Sequence, residues 1–173
     1  MRSIENNINL YRHPSDTFEI GVVNRSQTAK IKIAIAASRF NQNITSSLYD
    51  STYSRLIELG VREENIHTAW CPGAFEIPLL AKSLAMPKQY NAIIALGAVI
   101  RGETWHFELV ANQCAAGIMQ VALESETPII FSVLATDNVQ QALARSSANS
   151  FDTGSVAAES AIEMSLKLIK TKN

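Results

Sequence analysis

Apolar and polar positions along the chain follow two alternating periods. Ile31 to Ala37 is a near-continuous apolar run of strand length, and similar runs recur at Ile66 to Trp70, Ala92 to Val99 and Pro128 to Leu134. Short apolar runs closed by turn-forming residues are what strands buried on both faces look like. Between them the spacing becomes helical. Thr45 to Leu59 carries Leu48, Leu56 and Ile57 inward and stops at Gly60, while Phe75 to Ala85 tolerates Pro78 because its ring falls in the first turn. Phe107 to Ser125 repeats Val110, Cys114, Gly117 and Val121 on one side. Asp137 or Asn138 caps a short helix through Arg145, and Gly154 to Ile169 closes the chain as a long amphipathic helix.

The N-terminal part behaves differently. Residues 1–16 show no period, Thr17 to Val23 reads as a short edge strand whose partner would be another subunit, and Asn24 to Lys30 reads as a polar break. The chain therefore divides into an extension, residues 1–30, expected to be partly mobile or paired with a neighbouring subunit, and a domain over residues 31–173.

Strands alternating with helices predict a parallel sheet covered on both faces: a small doubly wound, flavodoxin-like α/β fold of three layers with a four-stranded parallel core sheet. In such folds ligands bind beyond the carboxyl ends of the strands, where the strand order reverses. Four segments project there: Arg39-Phe40-Asn41, Pro72 to Glu76, Arg101 to His106, and Ala135-Thr136-Asp137.

Composition narrows the classes. A chain of 173 residues with 47% apolar content suits one globular domain with a sizeable core. Its net charge of -1 offers no basic footprint for nucleic acid, and its longest apolar runs are too short for a membrane span. The N-terminus lacks a signal-peptide core, so a cytoplasmic location is expected. Cys71 and Cys114 lie in apolar surroundings without ligand spacing, which predicts buried thiols rather than a disulfide or a metal site.

Chemistry concentrates in the stretch from Gly97 to Val110. A strand ends at Arg101-Gly102, a polar triplet follows, and a helix begins near Phe107. Gly102 permits a close turn, and the first N–H groups of the next helix, at the positive end of its dipole, favour an anion. Thr104 adds a hydroxyl, and His106 places an imidazole beside that site, the side chain best suited to proton transfer near neutral pH.

Five motifs in register carry a resemblance. Arg39-Phe40-Asn41, Pro72 to Pro78, Gly97 to Phe107 with its Gly-Glu-Thr-Trp-His core, Gln141 to Arg145, and Gly154 to Met164 stand in the order and spacing found in 6,7-dimethyl-8-ribityllumazine synthases. The similarity spans residues 30 to 170. It implies condensation of 5-amino-6-(D-ribitylamino)uracil with 3,4-dihydroxy-2-butanone 4-phosphate in riboflavin biosynthesis, with no metal and no organic cofactor.

The resemblance also implies roles. Phe40 would stack on the uracil ring, Ala74 and Glu76, with Phe75 between them, would meet the substrate and its ribityl chain, and the strand end Ala98, Val99 and Ile100 would address the uracil edge through backbone groups at Val99. Gly102, Glu103 and Thr104 would hold phosphate on backbone N–H groups and the Thr104 hydroxyl, with the Glu103 carboxylate turned away. His106 would shuttle protons. Arg145, as a phosphate-binding fork, and Phe131 would both come from a neighbouring subunit, so the site is expected at an interface of a homo-oligomer, a pentamer or a multiple of it. Riboflavin synthase is a further expected partner. One departure stands out: Thr153 occupies the position of the family's usual lysine, and Ser146 to Asp152 contains no cation. That departure motivates an alternative, a lumazine- or flavin-binding assembly with weak or no turnover.

Overall fold

The computed structural model describes residues 24–146 and 152–171. The strand expected at Thr17 to Val23 and most of the loop before Gly154 lie outside them. The elements in chain order are α1 (Arg25–Thr28), β1 (Ile33–Ser38), α2 (Gln42–Glu58), β2 (Ile66–Cys71), α3 (Ile77–Ala85), β3 (Ala92–Ile100), α4 (His106–Ser125), β4 (Ile129–Thr136), α5 (Val139–Ser146) and α6 (Thr153–Thr171). Single 3₁₀ turns at Glu63–Asn65 and Ala74–Glu76 lead into β2 and α3.

All four strands are parallel and ordered β2-β1-β3-β4. The run from β1 to β2 extends the sheet one way, and β3 returns to the other side of β1. The order reverses between β1 and β3, where a doubly wound fold opens a crevice. Alternate side chains of the two central strands feed separate cores. Ile33, Ile35, Ile94 and Leu96 pack with Leu48 and Leu56 of α2 and Ala158, Ala161 and Ile162 of α6, and Ala142 of α5 joins that layer. Ala34, Ala36, Ile93 and Ala95 pack with Ile77 of α3 and Cys114, Ile118 and Val121 of α4. Both thiols are free and buried, as their apolar settings predicted.

Several boundaries moved for reasons of pairing and backbone geometry. Asn24 to Lys30, read as a polar break, contains the one-turn helix α1: Asn24 accepts the Ser26 N–H, and the Thr28 hydroxyl donates to Leu59 O at 2.8 Å, burying Thr28 on the end of α2. Helix α2 begins at Gln42 rather than Thr45, because Asn41 O already accepts the Ile44 and Thr45 N–H groups. Asn41 does this from the left-handed region, at φ 56°, so the start does not carry the usual extended cap. Gly60, at φ +92°, ends α2 where glycine's freedom is needed. Strand β4 runs on to Thr136, paired through Val99↔Ala135 and Ile100↔Thr136. No helix among the described residues is long and apolar enough to cross a membrane.

Candidate active site

The crevice at the reversal of strand order has a volume of about 610 Å³. Its floor is the end of β3, Ala98 to Ile100. One wall is Phe40, and the other runs through Gly73 to Glu76; Gly102, Thr104 and His106 form its lip. Ten residues singled out in the sequence thus come together: Phe40, Ala74, Phe75, Glu76, Ala98, Val99, Ile100, Gly102, Thr104 and His106.

Each wall has a local cause. Phe40 is 69% exposed, an expensive placement for a large apolar ring unless something flat covers it. Main-chain bonds from Arg39 N to Cys71 O (2.9 Å) and Phe40 N to Pro72 O (3.0 Å) tie its loop to the segment after β2. The Asn41 Nδ2–H donates to Ala98 O at 2.9 Å, tying the same loop to the crevice floor. Glu76 accepts the Gly73 N–H on Oε2 at 2.9 Å, which fixes the turn and leaves its other oxygen for a hydroxyl donor.

The lip is built from the start of α4. A Cβ placed on Gly102 would meet no atom within 4 Å, so the backbone there is open to a ligand. Thr104 Oγ1 accepts weakly from the His106 N–H at 3.4 Å, and its own hydroxyl proton stays available to an acceptor. Amides and a helix N-terminus on the lip, beside an imidazole, suit an anionic group next to a proton-transfer step. Neither thiol fits a nucleophilic role: burial pushes Cys71 up, and burial drives Cys114 up to about 12.

Three sequence-derived residues stand elsewhere. Glu103 is exposed on the turn and does not line the crevice. Phe131, 46% exposed, sits on β4 at the edge of the sheet, and Arg145 is exposed in the last turn of α5, where its Nη1 donates to Gln141 O at 3.3 Å. Neither lines the crevice of its own chain. Sequence reasoning passed over Asn41, although an asparagine after an aromatic at a strand end is the residue type that tolerates a left-handed anchor. It gave no site role to Phe107, Leu109 and Val110, which line the crevice from α4. Trp105 is 80% exposed beside the lip.

A second hollow, about 690 Å³, lies along the outer side of α2. Serine hydroxyls, Asp50, Glu58, Asp152 and Arg55 line it, with no aromatic and no imidazole among the described residues. The aromatic and the imidazole singled out in the sequence line the crevice above β1 and β3 instead.

A parallel sheet with an aromatic-walled, polar-lipped crevice at its switch point defines an α/β enzyme acting on small molecules. The 6,7-dimethyl-8-ribityllumazine synthase family model matches residues 30–168. The 6,7-dimethyl-8-ribityllumazine synthase of Protochlamydia amoebophila (strain UWE25) is 47% identical over 136 residues, 79% of this chain and 79% of that protein. The chain belongs to the 6,7-dimethyl-8-ribityllumazine synthase family, and with it to the transferases of riboflavin biosynthesis.

Proposed function

We propose that the crevice condenses 5-amino-6-(D-ribitylamino)uracil with 3,4-dihydroxy-2-butanone 4-phosphate, with the residues assigned as follows. The observation that carries this reading is the convergence of an exposed aromatic face, a strand end and an anion-suited helix start on one crevice. Phe40 stacks on the pyrimidine, backbone groups at Val99 hold its edge, and Glu76 takes ribityl hydroxyls. The phosphate ester rests on the amides of the 102–104 turn and the Thr104 hydroxyl.

The amine attacks the ketone and forms an imine with loss of water; phosphate then leaves, and the second nitrogen closes the ring with loss of another water. His106, on the lip, relays protons between the carbonyl oxygen, the amine and the departing phosphate. Holding two substrates side by side supplies more of the acceleration than one imidazole does.

Among the described residues, no guanidinium lines the crevice of a single chain. Arg145 is exposed at the end of α5 and Phe131 is exposed on the sheet edge, which supports the reading that a neighbouring chain uses them. The resemblance to the family supports a homo-oligomer as the working unit, a pentamer or a multiple of it, located in the cytoplasm, with riboflavin synthase as a further partner. The assay is lumazine fluorescence on mixing both substrates. Arg145→Ala abolishes most turnover, and His106→Ala lowers kcat by about a hundredfold. Each variant alone is strongly impaired, yet co-assembled Arg145→Ala and His106→Ala chains regain activity beyond the sum of the two, because some crevices then receive both groups. A mixture as inactive as its parts refutes the shared site. Retained ligand binding without product in the unaltered protein would favour a lumazine- or flavin-binding assembly, for which Thr153 in place of the family's lysine is the motivation.

A further inference from the structure

Arg101 stands directly before the anion-suited turn, yet it does not line the crevice. Its guanidinium is occupied on three sides. Nε donates to Asp137 Oδ1 at 2.9 Å, Nη1 pairs with Glu108 Oε1 in the first turn of α4, and the guanidinium carbon lies 4.3 Å from the centre of the Phe107 ring. Its main-chain N–H donates to Thr136 O at 2.9 Å. Asp137 first, and Glu108 with it, stabilise the charged guanidinium, and Arg101 in turn holds the Glu108 carboxyl below its ordinary range.

These contacts tie the lip to the first turn of α4, which follows it in the chain, and to the connection from β4 to α5, which leaves the strand paired beside it. From Asp137 the network continues. Its N–H donates to Gln141 Oε1 at 3.0 Å, Asn138 Oδ1 accepts the Gln141 N–H at 2.9 Å, and Gln141 O accepts from Arg145. A planar fork with donors on two edges and a stacked face can brace three elements at once, which a lysine's point charge cannot.

We propose that Arg101 is a positioning residue for the phosphate ester, bracing the 102–106 turn against α4 and against the start of α5 while pairing the carboxylates of Glu108 and Asp137 close to that turn. It touches no substrate. Its effect falls on the ester because the elements it ties carry the amides of this chain's own ester site on one side and, on the other, the Arg145 that serves a neighbour's. The inference rests on the phosphate being seated at that turn.

Steady-state kinetics on the assembled protein separate this role from mere support of the fold. Arg101→Gln raises KM for the dihydroxybutanone phosphate roughly tenfold or more, while kcat and KM for the pyrimidine amine change by about threefold at most. Arg101→Lys keeps the charge but not the fork, and raises KM for the ester by an intermediate factor; it also serves if the glutamine variant fails to assemble. Ester KM within about twofold of the unaltered protein in both variants overturns the proposal. So does an equal loss in every parameter that tracks a lowered melting midpoint. Thr104→Val and Arg145→Ala in the same assay identify which idea fails. If they too leave the ester KM unchanged, the seating of the phosphate is wrong; if they raise it and the Arg101 variants do not, only the brace is wrong.

Discussion

Gly154→Ala tests the seam on which α5 and α6 are held. A Cβ built on Gly154 would lie 2.0 Å from Ser51 Oγ, 2.5 Å from Leu48 O and 3.0 Å from Thr52 Oγ1. The serine could swing away only by releasing Asp152, which it holds at 2.7 Å. The Leu48 carbonyl belongs to the backbone of α2 and cannot yield. Restoring ordinary contact therefore requires α6 to withdraw by about 1 Å at its start, an overpacking cost of about 1–3 kcal/mol. That withdrawal also opens the Thr52 Oγ1 bond to Gly154 O and the Ser51 bond to Asp152, at about 1 kcal/mol each. Against this stands alanine's helix preference, worth up to about 1 kcal/mol. The net expectation is a loss of about 2–4 kcal/mol, read by urea unfolding at fixed chain concentration, so that association does not distort the comparison. Because Ser47 also donates to Ser146 O, the same change loosens the end of α5 next to Arg145, and the ester KM rises with it. A midpoint equal to or above that of the unaltered protein refutes the tight seam. Gly102, whose Cβ would meet no atom within 4 Å, is the control: alanine there leaves stability within about 0.5 kcal/mol.

Two further outcomes follow from the structure. Asn41→Ala loses the bond to Ala98 O and leaves a non-glycine residue in the left-handed region without its local compensation, at a cost of about 2 kcal/mol. Thermal melting reads that cost, and KM for the pyrimidine rises because Phe40 is no longer anchored; an unchanged pyrimidine KM would detach Asn41 from the wall. Asp152, which caps α6, is pushed up by burial, but bonds from Ser155, Ser51 and backbone N–H groups outweigh this and leave its pKa below the ordinary value. A depressed carboxyl contributes stability above its unfolded pKa and loses it as pH falls through the folded one. The melting gap between the unaltered protein and Asp152→Asn thus narrows as pH drops from neutrality to about 3, and a constant gap would refute the linkage.

The sequence by itself determined the architecture and most of the crevice. Buried parallel strands must be apolar on both faces and amphipathic helices must repeat near every third or fourth residue, so Ile31 to Ala37 and Gly154 to Ile169 announced their states locally. Topology did the rest: the carboxyl ends of parallel strands share one rim, so Phe40, Glu76, Thr104 and His106 could be gathered without coordinates. Tertiary structure alone decided what depends on distance between remote segments. Arg101 and Asp137 are expected on one rim from the sequence, but that Arg101 pairs with Asp137 and Glu108 together is decided only when β3, α4 and β4 pack. Asn41 looked like a loop residue because its left-handed start for α2 is stabilised from Ala98, far along the chain. The same reason separates Arg145 from the crevice of its own chain: residue spacing fixes which helix carries a side chain, while only packing fixes the direction in which that helix presents it.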